Sequence, residues 1–282
     1  MDLKSAVERF AQLTISISDA DLERPWNWGD YDEGVRFAFF RNYEDLRQLA
    51  VTLADERLKA GLPQTPAQRI LAQYQAAFTD LEAVQLSVTD EQAGLSPAEG
   101  EWPLRKILRH MVEAEGTFFA INHYAIERAR AINERPLGMP DEAWNAFWAG
   151  DPFEQVAENG AFSEMWVYFL DLHRRVLDAF AGVSDAELAQ PAVFWESTPM
   201  PVRFRLHRFE SHLRQHTIQA DKALVALGLA SGEARRLVRL VYAGLAEVLG
   251  LLIGAGETGA QACADLALEI DRRTTEIEGI LQ

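Results

Sequence analysis

The chain contains a single cysteine, Cys263, in 282 residues. One thiol cannot close an intramolecular disulfide, so the fold carries no covalent staple, and a cysteine-rich zinc motif is excluded. Long apolar runs are missing too. The longest, near residues 245–253, is interrupted by Glu247 and is too short to span a bilayer. The opening MDLKSAVERFAQL is charged from its second residue and lacks the uninterrupted apolar stretch of a secretion signal, so a cytoplasmic location is expected. Positive charge is scarce: 27 Lys and Arg stand against 43 Asp and Glu, a net charge of −16. Such a field repels phosphate backbones and anionic lipid, so neither nucleic acid nor a membrane surface is expected as a partner. A long alternating strand pattern is absent as well.

What is present is a helical period. Hydrophobic residues make up 48% of the chain, enough for a packed core. They recur at three- and four-residue spacing: Leu3, Val7, Phe10 and Leu13; then Val35, Phe39, Tyr43, Leu46, Leu49 and Leu53; then Ile70, Tyr74, Phe78 and Leu81. Further helices are predicted over 103–131, 162–180, 201–227, 232–253 and 259–281, with prolines or glycines at most of the boundaries. Residues 141–159, rich in aromatics and turn formers, read as a long loop with one short helix. The fold class is therefore all-α.

Three segments echo one another: Ile17-Ser-Asp-Ala-Asp-Leu22, Val88-Thr-Asp-Glu-Gln-Ala93 and Val183-Ser-Asp-Ala-Glu-Leu188. Each follows a helix, and each begins with an apolar residue, Ser or Thr, then Asp. Those hydroxyls suit the free N–H groups that open a short helix. Trp26 and Trp28 follow the first segment and Trp102 the second, just before the next long helix.

All six histidines lie between 110 and 216. In His212-Leu-Arg-Gln-His216 two imidazoles fall four apart, on one face of the helix, where both can converge on one metal ion. His110 lies among Ile107, Leu108, Met111 and Val112, at the border of the core, and supplies a third ligand if its helix faces the 201–227 helix. Three neutral imidazoles suit Zn, Ni, Mn or Fe and leave positions open for water or substrate. His207 lies off the face of the pair, His123 faces elsewhere than His110, and His173 could reach the bundle interior. Glu113, one turn after His110, is the candidate catalytic base, ahead of Glu210. Trp148 and Trp195, from the aromatic loops, are the candidates to wall a pocket.

Three stretches carry a resemblance: Glu101-Trp-Pro-Leu-Arg-Lys-Ile-Leu-Arg-His110-Met, His212-Leu-Arg-Gln-His216-Thr-Ile-Gln219, and the ending Ala223-Leu-Val-Ala-Leu-Gly228. Together they resemble the DinB/YfiT-like superfamily of up-down four-helix bundles. The resemblance implies a divalent metal on His110, His212 and His216, and activities that include thiol-dependent transfer. A low-molecular-weight thiol is thus a candidate cofactor, although no separate thiol motif is visible. It also implies a bundle over residues 64–230. Residues 1–63 with 231–282 would supply flanking helices, or a second, histidine-free bundle in which Arg36 takes the place of His110.

The leading expectation is a metal-dependent enzyme acting on a small molecule by hydrolysis or thiol-dependent transfer. The alternative is a non-catalytic metal-binding or stress-response protein that forms a homodimer through its helices. Fold resemblance alone does not choose between them.

Overall fold

The computed structural model describes residues 2–194, 198–230 and 232–282. It is almost wholly helical, as the periodicity predicts. The chain forms two compact units. One comprises residues 1–64, 75–87 and 228–282; the other comprises 65–74 and 88–227.

The first unit contains α1 (Leu3–Thr14), α2 (Asp19–Leu22), α3 (Val35–Lys59), the second part of α4 (Pro66–Gln85), and two C-terminal helices numbered below as α12 (Glu233–Leu252) and α13 (Ala260–Leu281). Its core joins Phe10, Phe39, Leu46, Leu53, Val238, Tyr242 and Leu245. The apolar stripe read from the sequence on α3 is the buried one, with Tyr43 at its margin. Gly244 lets α12 approach α3 closely: a Cβ there would lie 3.1 Å from that of Leu46.

The second unit contains the start of α4, α5 (Asp90–Ala93), α6 (Leu104–Arg130), α7 (Asp141–Phe147), α8 (Phe153–Asn159), α9 (Phe162–Phe180), α10 (Asp185–Leu188) and α11 (Val202–Ala226). The predicted long loop at 141–159 is instead largely helical, as α7 and α8. Both helices are only seven residues long, and Asp141 and Glu142 favour the N-terminus of α7. Gly116 on α6 gives Phe153 room, since a Cβ would fall 2.3 Å from its Cε2.

The three echoing segments take one structure. Ser18, Thr89 and Ser184 each cap a four-residue helix with a reciprocal capping box, closed by Asp21, Gln92 and Glu187. Two of the segments continue alike. After α2 comes the hairpin β1 (Pro25–Trp28) and β2 (Tyr31–Gly34); after α10 comes the shorter pair β3 (Pro191–Ala192) and β4 (Met200–Pro201). These hairpins are too short to show alternation in the sequence. Each feeds a 25-residue helix whose first N–H bonds back across the hairpin: Val35 to Arg24 O at 2.9 Å, Val202 to Gln190 O at 2.8 Å.

Candidate metal centre

α6 and α11 pack against each other within the second unit. On α6 the buried positions Leu104, Leu108, Met111, Glu115 and Phe118 recur at helical spacing, and His110 stands at their edge, half-buried. On α11 the buried stripe Leu206, Phe209, Leu213, Thr217 and Ala220 carries His212 and His216 beside it, 7% and 6% exposed. The three histidines meet there. One nitrogen from each lies within 4.8 Å of the others. The closest pair, His110 Nε2 and His212 Nε2, are 3.2 Å apart, and the ring centroids are 4.5–5.1 Å apart.

The surroundings favour the neutral form of His110 and His212. Burial, reinforced by the His216 and His110 imidazoles and by Arg208, pushes His212 down to about 3. Burial and His216 also lower His110, while Glu113 opposes the shift. His216 Nδ1 lies 2.9 Å from Gln219 Oε1. An amide oxygen only accepts, so Nδ1 carries a proton, which in the neutral ring leaves Nε2 as the ligating nitrogen. This is the arrangement that an outer partner gives a metal-ligating histidine. His212 Nδ1 is buried without a hydrogen-bond partner among the described residues. Trp102 stands edge-on to His110 at 5.7 Å, and Phe118 stands edge-on to His212 at 5.5 Å.

The remaining candidates lie elsewhere. Glu113 is partly exposed and pairs with Arg109 at 2.8 Å. Trp148 stacks on Phe153 at 4.3 Å and packs on Phe147, with the Arg175 guanidinium 5.8 Å from its ring; its ring contacts are with these groups and Trp144, not with the histidines. Trp195 falls outside the described residues. His207 is exposed, and His123 packs on Phe119 and Phe147. His173 is buried against Tyr74, with ring centroids 4.5 Å apart.

Sequence reasoning passed over one buried acid. Glu115 is fully buried, and the Tyr74 hydroxyl donates to its Oε2. Burial outweighs that bond and pushes the carboxyl well above its usual range, which favours its protonated form. Burial and Glu115 likewise raise Tyr74. The signal was available: Glu115 interrupts the apolar stripe of α6 at the position where a hydrophobic residue belongs.

The donor set of three imidazoles, with one tautomer fixed from behind, fits a borderline divalent cation. The family model of the DinB superfamily matches residues 73–220, just over half of the chain. The chain belongs to the DinB superfamily. The matched segment contains all three clustered histidines and the α6–α11 pair that brings them together. No curated protein and no solved structure matches the chain. None of the described helices is long and apolar enough to cross a membrane.

Proposed function

We propose that His110, His212 and His216 hold a divalent cation of the Zn, Ni, Mn or Fe type, and that the protein is a metal-dependent enzyme acting on a small molecule. The observation that carries this reading is the convergence of three imidazole nitrogens within 4.8 Å. Superfamily membership supports it, because DinB proteins generally bind metal. A cation held by three protein ligands supplies Lewis acidity, which lowers the pKa of water or a thiol and polarises a carbonyl. Hydrolysis and thiol-dependent transfer both draw on that chemistry, and a low-molecular-weight thiol is the proposed co-substrate of the second. The protein's own groups set the stage. Burial keeps His110 and His212 unprotonated, Gln219 holds the His216 tautomer, and Glu113 is the acid proposed to accept a proton at the rim. The cytoplasm, where such thiols are reduced, is the proposed location.

Elemental analysis of the purified, reconstituted chain tests the centre. A stoichiometric metal is expected, lost in His212→Ala while the fold persists; no metal after reconstitution overturns the reading. A screen with thiol and ester substrates then tests catalysis, with Glu113→Gln expected to lower turnover and keep the metal. The low exposure of His212 and His216 also favours a second reading, a sealed structural ion. Under that reading chelation lowers the melting temperature sharply and no substrate is turned over.

A further inference from the structure

A small cleft within the second unit lies beside the histidines. It encloses about 100 Å³ and is lined by Pro97, Ala98, Trp102, Gln219, Ala223 and Ala226, with Glu101 and Lys222 at its rim. Two of its walls touch the cluster from outside. Trp102 is edge-on to His110, and Gln219 holds His216 Nδ1. The geometry points to a binding site here for a small zwitterion: an aliphatic amino acid or a similar molecule carrying one amine and one carboxylate.

Size and lining set the body of the ligand. Cavities of about 150 Å³ take a molecule the size of benzene, so this cleft suits a smaller body. The alanines and the indole offer it apolar walls. The rim sets the charges. Lys222 Nζ and Glu101 Oε1 are 3.3 Å apart and both well exposed, at 73% and 46%. An exposed pair of this kind contributes little and separates readily. A zwitterion replaces it without residual charge: its carboxylate takes Lys222 and its ammonium takes Glu101. A simple anion would leave Glu101 unbalanced beside it, in a chain whose net charge is already −16. A simple amine would leave Lys222 unbalanced.

None of the groups proposed to hold the zwitterion is a proposed metal ligand, so the site is tested on the full chain after chelation as well as after metal loading. Calorimetry and ligand-observed NMR with alanine, valine, propionate and isobutylamine provide the readout. Saturable valine binding is expected, with a dissociation constant on the order of millimolar for so few atoms. Ala226 is an exposed position on α11, so Ala226→Leu fills the cleft without disturbing the core. That variant should abolish binding, and Ala226→Ser should retain it. Lys222→Met should weaken valine at least tenfold. The proposal is overturned if no probe saturates, if propionate or isobutylamine binds as tightly as valine, or if Ala226→Leu binds normally. Valine binding that persists in chelated protein supports this cleft whether or not the metal reading stands.

Discussion

Helices α3 and α11 begin alike, each 25 residues long and each entered from a hairpin, yet their interiors use polar residues in opposite ways. Ten residues after Val202, α11 presents His212 to the imidazoles of His110 and His216. Ten residues after Val35, α3 presents Asp45, which pairs at 2.7 Å with the buried Arg273 of α13. Arg273 also donates to Asn42 Oδ1 at 2.9 Å and to Glu269 Oε1 at 3.1 Å. The Arg273 cluster pairs its charge with carboxylates, while Arg273 Nε and Asn42 Nδ2 stay buried without a hydrogen-bond partner among the described residues. The histidine cluster gathers ring nitrogens and no carboxylate, and the proposed cation would complete it. One unit meets its buried cation with carboxylates, and the other gathers imidazoles that a cation would join.

The largest effect is expected at the buried arginine. Arg273→Met removes one of the two arginines on Asp45, which keeps Arg41 Nη2 at 2.5 Å, and takes a donor from Asn42 and Glu269; breaking a buried pair costs about 3–5 kcal/mol, and the remaining arginine places the loss at the lower end. Urea denaturation should show that loss, while metal stoichiometry stays unchanged. A second substitution, Asp45→Leu, should recover part of the stability, because an apolar pair replaces the ion pair while Arg41 keeps Glu44. A metal lost along with Arg273 would break the comparison, since the ionic cluster would then support the histidines.

The next effect concerns the buried acid of the second unit. Glu115 has a folded pKa raised above the usual 4.5 by burial. The unfolded chain therefore releases this proton first as pH rises. The stability tied to Glu115 is complete below about pH 4.5 and declines above it, by up to about 1.4 kcal/mol for each pH unit within the window. Glu115→Gln should remove that decline. Measured by urea denaturation, the variant should match the parent at pH 4 and exceed it at pH 8. An unchanged pH slope would mean that Glu115 is ionised in the fold.

These two clusters differ in how far the sequence exposes them. His212 and His216 are legible because a four-residue spacing on one helix is a local fact. The capped turns at Ser18, Thr89 and Ser184 are legible for the same reason. His110 becomes a partner only through the packing of α6 on α11, which no local pattern encodes and which the resemblance supplied. The Arg273–Asp45 pair joins residues 228 apart in the chain. Both are charged residues on long helices, where solvent is the ordinary destination, and nothing nearby marks them as buried. Glu113 drew attention because it is one turn from His110, yet Arg109, also one turn away from it, holds it at the surface. Residues 141–159 read as loop because aromatic and turn residues outweighed two helices too short to show a period.

Gln219 sharpens the histidine side of the comparison. It does little for the fold, because α11 continues through it and its side-chain bond is to His216. Losing an outer partner of a metal ligand typically costs 10–100-fold in affinity. Gln219→Ala should weaken metal binding by that factor in a competition titration, with a stability change well below that of Arg273→Met. Gln219→Glu, which keeps an acceptor, should restore most of the affinity. Equal affinity in all three proteins would show that His216 needs no orientation from behind.

The smallest effect lies in the repeated caps, where the two units ought to differ only slightly. Ser184 caps α10 and donates its hydroxyl to Glu187, which also takes Arg130 at 2.6 Å. Arg130 first, and Ser184 next, hold Glu187 down to about 2. A depressed carboxylate contributes stability that is present above its unfolded pKa near 4.5 and is lost as pH falls toward 2. Ser184→Ala should cost about 1 kcal/mol at pH 7 and should flatten part of the acid limb between pH 4.5 and 2. Its counterpart Ser18 caps α2 beside Asp21, whose partners are Ser18 and Arg24 rather than a distant helix. Ser18→Ala should cost less, since no distant arginine is tied to its cap, but it removes the first cause that holds Asp21 below its usual range, so it too should flatten part of the acid limb, below the usual 3.8 of an aspartate. Matching losses from the two substitutions would mean that the cap alone matters and that Arg130 contributes nothing to the difference.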